Sequence, residues 1–251
     1  MIEVEGLRKV YGDRVAVDGI SFRVEPGQVF GLLGPNGAGK TTTISCLSGL
    51  IRATSGAVRL NGIDVAADPK RAKANLGVVP QELAMYPEIS ARENLAFWGG
   101  VQGLDRGELS TKIPRMLERV GLADRAKEPV KNFSGGMKRR LNLAIGLIHD
   151  PKVVLMDEPT VGVDPQSRVH ILDLIRDRAK AGTSIVYTTH YMDEAEGLCD
   201  PFLILDQGKV IANGGLEELL EQAGNVIERA SIPQPSLERL FIHLTGKDLR
   251  E

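Results

Sequence analysis

Apolar residues in this chain fall either in short runs or at helical spacing. Ile2–Leu7 and Val15–Val24 carry β-branched residues in partial alternation, which predicts antiparallel strands with one wet face. Val29–Leu33, Val153–Met156, Ser184–Thr188 and Phe202–Leu205 are short, nearly continuous apolar runs. Separated by helical segments, they predict parallel strands buried on both faces. Gly135–Ile148 reads as a helix with Met137, Leu141, Ala144, Ile145 and Ile148 on one face, Lys138, Arg139 and Asn142 off it, and Ser134 as N-cap. Pro165–Ala179 reads as a second amphipathic helix, with Asp164 as cap and Pro165 in the first turn. Ser90 and Glu93 form a capping box that opens a third.

The resulting class is α/β: a core of mainly parallel strands behind an N-terminal antiparallel β-subdomain. Residues about 85–130 are helix-rich, interrupt the strand–helix alternation and read as an inserted helical subdomain. Beyond Gly215, two short helical segments broken by Pro233 and Pro235 read as an appendage. The predicted division is therefore 1–215 and 216–251, with an amphipathic tail helix over Leu237–Leu244. Neither an internal repeat nor a low-complexity tract interrupts this reading.

Composition narrows the function classes. Hydrophobic residues are 42% and charged residues 25%, which excludes wholesale disorder. Lys+Arg is 31 against Asp+Glu 33, a net charge of −2, so the basic excess of a general nucleic-acid binder is missing and no nucleic-acid partner is expected. Cys46 and Cys199 lie in apolar contexts and are expected to be buried thiols. The N-terminus lacks a signal-peptide core, and no apolar stretch is long enough to span a membrane.

Chemistry enters at Gly34–Thr41, GPNGAGKT, which matches the GxxxxGKT phosphate-binding loop and lies between a predicted strand and a predicted helix. Gly34, Pro35, Asn36, Gly37, Ala38 and Gly39 supply a tight loop whose N–H groups converge on phosphate oxygens. The helix N-terminus adds its positive dipole end. Lys40 supplies a point charge to the β- and γ-phosphates, Thr41 a hydroxyl for Mg²⁺, and Thr42 a hydrogen bond to the α-phosphate. Lys40 is expected to reach outward and pack little. The second element is Val153–Pro159, VVLMDEP, a buried strand that delivers two carboxylates at its C-terminal end, where α/β sheets bind ligands. Asp157 is the candidate Mg²⁺ ligand and Glu158 the candidate general base for in-line attack of water on a γ-phosphate. The core is thus read as that of a P-loop NTPase, with a nucleoside triphosphate and Mg²⁺ as its ligands.

A second anion-binding device stands at Asn132–Met137, NFSGGM, directly before the Gly135 helix. It resembles the signature sequence of ABC ATPases, and the other motifs of that family follow in order over about residues 1–215. The resemblance implies that Tyr11 stacks on adenine. It implies that Gln81, in VVPQE, contacts Mg²⁺ and the attacking water, and that His190, in TTHYMDEAE, hydrogen-bonds the γ-phosphate. It also implies that Ser134, Gly135, Gly136 and Asp164 contact the nucleotide of an opposite subunit in an ATP-bound dimer. Phe133, Met137, Val161 and Val163 depart from the common pattern, while the Ser-Gly-Gly core and Asp164 are kept, so an active ATPase is expected. NFSGGM, TTHYMDEAE and the tail LERLFIHLTGKDLRE are most similar to ATP-binding subunits of type-2 ABC exporters.

What this implies is an ATP-hydrolysing subunit, peripheral on the cytoplasmic face of the membrane, that energises transport through separate integral-membrane permease subunits. The alternative is a soluble ABC ATPase acting on ribosomes or DNA, a class that usually has paired cassettes or a long coiled-coil insertion. Tyr86, Pro87, Ile89 and Phe97 are expected to form a groove for a permease helix beside Gln81. The run Lys138-Arg139-Arg140 is expected to be a solvated face.

Overall fold

The computed structural model describes residues 1–219, 221 and 236–245. It contains two sheets. The first is antiparallel and is built from β1 (Ile2–Tyr11), β2 (Arg14–Val24), β4 (Ser55–Leu60) and β5 (Ile63–Asp64) in the order β2-β1-β4-β5. The second holds β3 (Val29–Leu33), β6 (Leu76–Val79), β7 (Val153–Asp157), β8 (Ser184–Thr189), β9 (Pro201–Asp206) and β10 (Lys209–Gly215) in the order β10-β9-β3-β8-β7-β6. All its pairings are parallel except β9–β10.

Alternate side chains of the second sheet feed two different cores, because successive residues of a strand point to opposite faces. Phe30, Leu32, Val153, Leu155, Val186, Leu203 and Leu205 pack with the antiparallel sheet and with α1 (Lys40–Leu47). Val29, Leu33, Val154, Met156, Ile185, Tyr187, Phe202 and Ile204 pack under the remaining helices. This double burial is why the runs are apolar throughout.

Those helices are α3 (Ala91–Val101), α4 (Arg106–Arg119), α5 (Gly135–Leu147), α6 (Pro165–Lys180), α7 (Met192–Leu198) and α8 (Leu237–Thr245); the short α2 (Pro69–Lys73) joins β5 to β6. The caps form as the sequence predicts: Ser90 and Glu93 make a reciprocal box, Ser134 accepts from Met137 N, and Asp164 accepts from Ser167 N. The predicted helical insertion is α3 and α4. In the tail, Leu237, Leu240 and Phe241 are buried against the main core, and Leu237 N donates to Glu196 Oε1 at 2.6 Å. Pro233 and Pro235 lie outside the described residues. Cys46 and Cys199 are both buried, and burial raises both thiol pKa values. No described helix is long and apolar enough to cross a membrane.

Asn142, off the apolar face of the helix after Ser134, is buried: its Nδ2 donates to the Pro80 carbonyl at 3.0 Å and its Oδ1 accepts from Ala84 N at 3.1 Å. The reading of Lys138-Arg139-Arg140 as a solvated face is corrected. Lys138, Arg139 and Arg140 are only half-exposed. Arg139 donates to the carbonyls of Gln81 and Val161, and Arg140 to those of Val120 and Gly121. A helix packed on three sides has no wholly wet face, so its long polar side chains find main-chain acceptors.

One buried carboxylate ties three of these elements together. Glu194 Oε2 accepts from Thr160 Oγ1 and from Tyr187 OH, each at 2.7 Å, and Arg168 Nε lies 3.1 Å from Oε1. Burial, with Glu194 adding to it, pushes the Tyr187 phenol far above its usual pKa, so it stays a donor. Replacing Glu194 by Ala strands these hydroxyls and is expected to cost about 2–4 kcal/mol in urea unfolding. A loss within about 0.5 kcal/mol of zero, the range of ordinary surface changes, would contradict the network's structural weight.

Candidate functional site

The loop between β3 and α1 is shaped by glycine. Gly39 caps α1 at φ 109°, and a Cβ there would lie 2.5 Å from the Ala16 carbonyl oxygen, so no other residue keeps this path. Beside the loop is a cavity of about 470 Å³, lined by Tyr11, Arg14 and Ala16 on the β1–β2 side. Pro35–Gly37 and Gly39–Thr42 of the loop line it too, with Gln81 and Glu158, while Ala38 is buried beneath.

Lys40 differs from expectation. It is buried, donating Nζ to the carbonyls of Gly34 at 2.7 Å and Pro35 at 3.1 Å, and it pairs with Glu158 Oε1 at 3.1 Å. Its outward reach is cut short because a carboxylate meets it inside the pocket. Glu158 is reached in a left-handed backbone conformation, φ 47°, which costs a non-glycine residue about 1–3 kcal/mol. Thr188 holds it there. The Glu158 N–H donates to Thr188 Oγ1 at 3.0 Å, while that hydroxyl donates to Asp157 Oδ1 at 2.7 Å. One threonine on β8 thus orients both carboxylates at the end of β7.

The other Glu158 oxygen faces the remaining predicted residues. Gln81 Nε2 donates to Oε2 at 3.5 Å. His190 Nδ1 lies 3.3 Å from Oε2 without hydrogen-bond alignment. Gln81, Lys40, Glu158 and His190 therefore converge from the ends of three neighbouring strands and from the helix α1. Tyr11 is about half exposed, with Lys9 Nζ 4.8 Å from its ring centroid.

Ser134 and Gly135 are exposed at the N-terminus of α5, and neither lines this cavity. Gly136 is buried: a Cβ there would lie 2.4 Å from Ser167 Oγ and 2.7 Å from Asp164 Oδ2. Its smallness lets α5 approach the start of α6. Asp164 is exposed, and its hydrogen bonds from Ser167 hold the carboxyl below its usual pKa.

Among the described residues no three His, Cys, Asp or Glu side chains form a metal cluster. The oxygen donors Thr41, Gln81 and Asp157 suit a hard cation held largely by phosphates and water, the usual arrangement for Mg²⁺.

The sequence profile of the ABC transporter family matches residues 17–161 of the chain. The chain belongs to the ABC transporter family. This ABC ATPase is 48% identical to the linearmycin resistance ATP-binding protein of Bacillus subtilis, over 89% of this chain and 72% of that one. It is 44% identical to a Nod factor export ATP-binding protein of Ralstonia nicotianae, over 98% of this chain and 78% of that one. A solved ATP-binding subunit of an ABC transporter superposes with a TM-score of 0.87 at 30% identity, covering 98% of this chain and 99% of that one. The chain binds and hydrolyses ATP as a member of this family.

Sequence reasoning missed four contributors to the site: Arg14, which lines the cavity, Thr188, Arg139 and Asn142. The strand ending in Thr188 and Thr189 carried a signal for Thr188, since hydroxyls at the end of a parallel strand face the ligand edge. Lys40→Ala is expected to weaken MgATP binding at least about tenfold, roughly 1.4 kcal/mol. It is also expected to lower the melting temperature without nucleotide, because Glu158 loses its cation. Titration calorimetry and thermal melting read the two effects, and wild-type affinity would show that the phosphate site is misplaced.

Proposed function

We propose that this ABC ATPase energises export from the cytoplasm, working as a pair of copies beneath integral-membrane permease subunits. The likeness to proteins named for antibiotic resistance and for Nod factor export, extending over nearly the whole chain, carries the direction of transport. Localisation follows from the same reading: peripheral, on the inner face of the membrane, held by the permease.

At the site, the β- and γ-phosphates take over the Lys40 ammonium, with the Gly34–Gly39 amides and Thr42 around them and the adenine on Tyr11. Thr41, Asp157 and Gln81 would hold Mg²⁺, which would supply neutralisation of the growing negative charge. Glu158, released from Lys40, accepts a proton from water as that water's oxygen bonds the γ-phosphorus. The bond from phosphorus to the bridging oxygen breaks, leaving ADP and phosphate. His190 donates to the γ-phosphate oxygens as charge builds on them.

The exposed α5 N-terminus supports the pairing of two copies. Ser134 and Gly135 are exposed at this helix end, yet the cavity of the same chain lies elsewhere. In a head-to-tail pair each would meet the γ-phosphate held by the other, an isologous arrangement that closes on itself. ATP then stabilises the pair by mass action.

Glu158→Gln is expected to bind ATP, hydrolyse it at least about a hundredfold more slowly, and accumulate as a dimer with ATP. Adding Ser134→Arg is expected to return it to monomer. Light scattering with and without ATP measures both, and rapid hydrolysis by Glu158→Gln would remove it as the base.

The permease surface is expected at Tyr86 and Phe97, each nearly half exposed with ring centroids 5.0 Å apart and Trp98 beside them. Cysteines placed next to Tyr86 should cross-link to the co-purified membrane partner. Cross-links confined to other faces would relocate the interface.

A further inference from the structure

Arg139 stands where two loops of the site meet. Its Nη1 donates to the Gln81 carbonyl and its Nε to the Val161 carbonyl at 3.3 Å. The first loop follows β6 and carries Gln81; the second follows β7 and carries Asp164. Burial pulls the guanidinium pKa down and the nearby Glu158 pulls it back up, so the charge sits close to the base. Its hydrogen-bond partners are carbonyl oxygens, so the contact fixes backbone. Asn142, one turn along α5, fixes the same loop on either side through Pro80 O and Ala84 N. The Gln81 main chain is thereby clamped to α5, and its side chain is left to reach Glu158 Oε2 at 3.5 Å.

We propose that Arg139 is a positioning residue for hydrolysis: it staples the Gln81 backbone to the loop after Glu158, so that the Gln81 amide meets the base and the water it activates. A planar guanidinium does this because two of its nitrogens can donate to two acceptors at a fixed angle; an ammonium presents a single nitrogen. The staple is anchored on the helix whose N-terminus carries Ser134 and Gly135, so a shift of the Gln81 loop is transmitted to that helix end. The proposal rests on the assignment of Gln81 to the hydrolytic site.

The test is a double-mutant cycle on the full chain. Wild type, Arg139→Met, Gln81→Ala and the double variant are compared in steady-state ATP hydrolysis, with thermal melting beside each. Met keeps the packing of the arginine stem. Each single change is expected to lower kcat about tenfold with KM for ATP within about twofold, and the double variant is expected to be no slower than about twofold below the slower single. Arg139→Lys, which keeps the charge and serves as the second variant where Arg139→Met melts early, is expected to be equally slow. Losses that multiply to about a hundredfold in the double variant would overturn the proposal while leaving Gln81 in the site. So would wild-type kcat in Arg139→Met or Arg139→Lys. Wild-type kcat in Gln81→Ala would overturn the assignment of Gln81 itself.

Discussion

The ion pair between Lys40 and Glu158 sets the terms for the rest of the site. Two opposite charges lie buried at the C-terminal edge of a parallel sheet, one from the helix after β3 and one from the turn after β7. Neither belongs in a low-dielectric interior alone, because an unpaired buried charge is expensive. Each satisfies the other, and the carbonyls of Gly34 and Pro35 complete the lysine's coordination. A triphosphate offers Lys40 a stronger partner in the same place. On the proposed reading, binding exchanges one anion for another and frees Glu158, at that moment, to hold water.

The surrounding structure serves this exchange. Thr188 holds Glu158 in its left-handed turn and Asp157 beside it, so the released carboxylate keeps its direction. Glu194 fixes Thr160 just beyond that turn and Tyr187 just before Thr188. Asn142 and Arg139 fix the Gln81 loop against α5. The moving parts are then few: the side chains of Lys40, Glu158, Gln81 and His190. Preorganised polar groups of this kind cost no reorganisation when charge develops.

Much of this was legible in the sequence where local rules decide. The apolar runs gave β3, β7, β8 and β9, capping residues gave the starts of α3, α5 and α6, and the glycine loop and the paired carboxylates gave the cavity. Other features depend on partners distant in sequence. Lys40 was read as outward because its neighbours in the chain are loop residues, whereas its partner lies in the turn after β7, more than a hundred residues away. Arg139 was read as solvated because periodicity assigns polar residues to water, and periodicity carries no knowledge of a loop folded over the helix. β1 was read as ending at Leu7 because alternation fails there. The strand continues to Tyr11 through register shifts, with Gly6 at φ 55°. β4, β6 and β10 are short or glycine-bearing and give little signal alone.

The most direct measurement is nucleotide affinity with the competing carboxylate present and absent. Wild-type and Glu158→Gln chains, each also carrying Ser134→Arg to keep them monomeric, are titrated calorimetrically with a non-hydrolysable ATP analogue and Mg²⁺. If Glu158 occupies Lys40 until nucleotide arrives, the Gln variant binds tighter by about threefold to tenfold, roughly 0.6–1.4 kcal/mol. Equal or weaker binding in the Gln variant would show that the buried pair does not compete with the γ-phosphate, and would contradict the exchange on which this account rests.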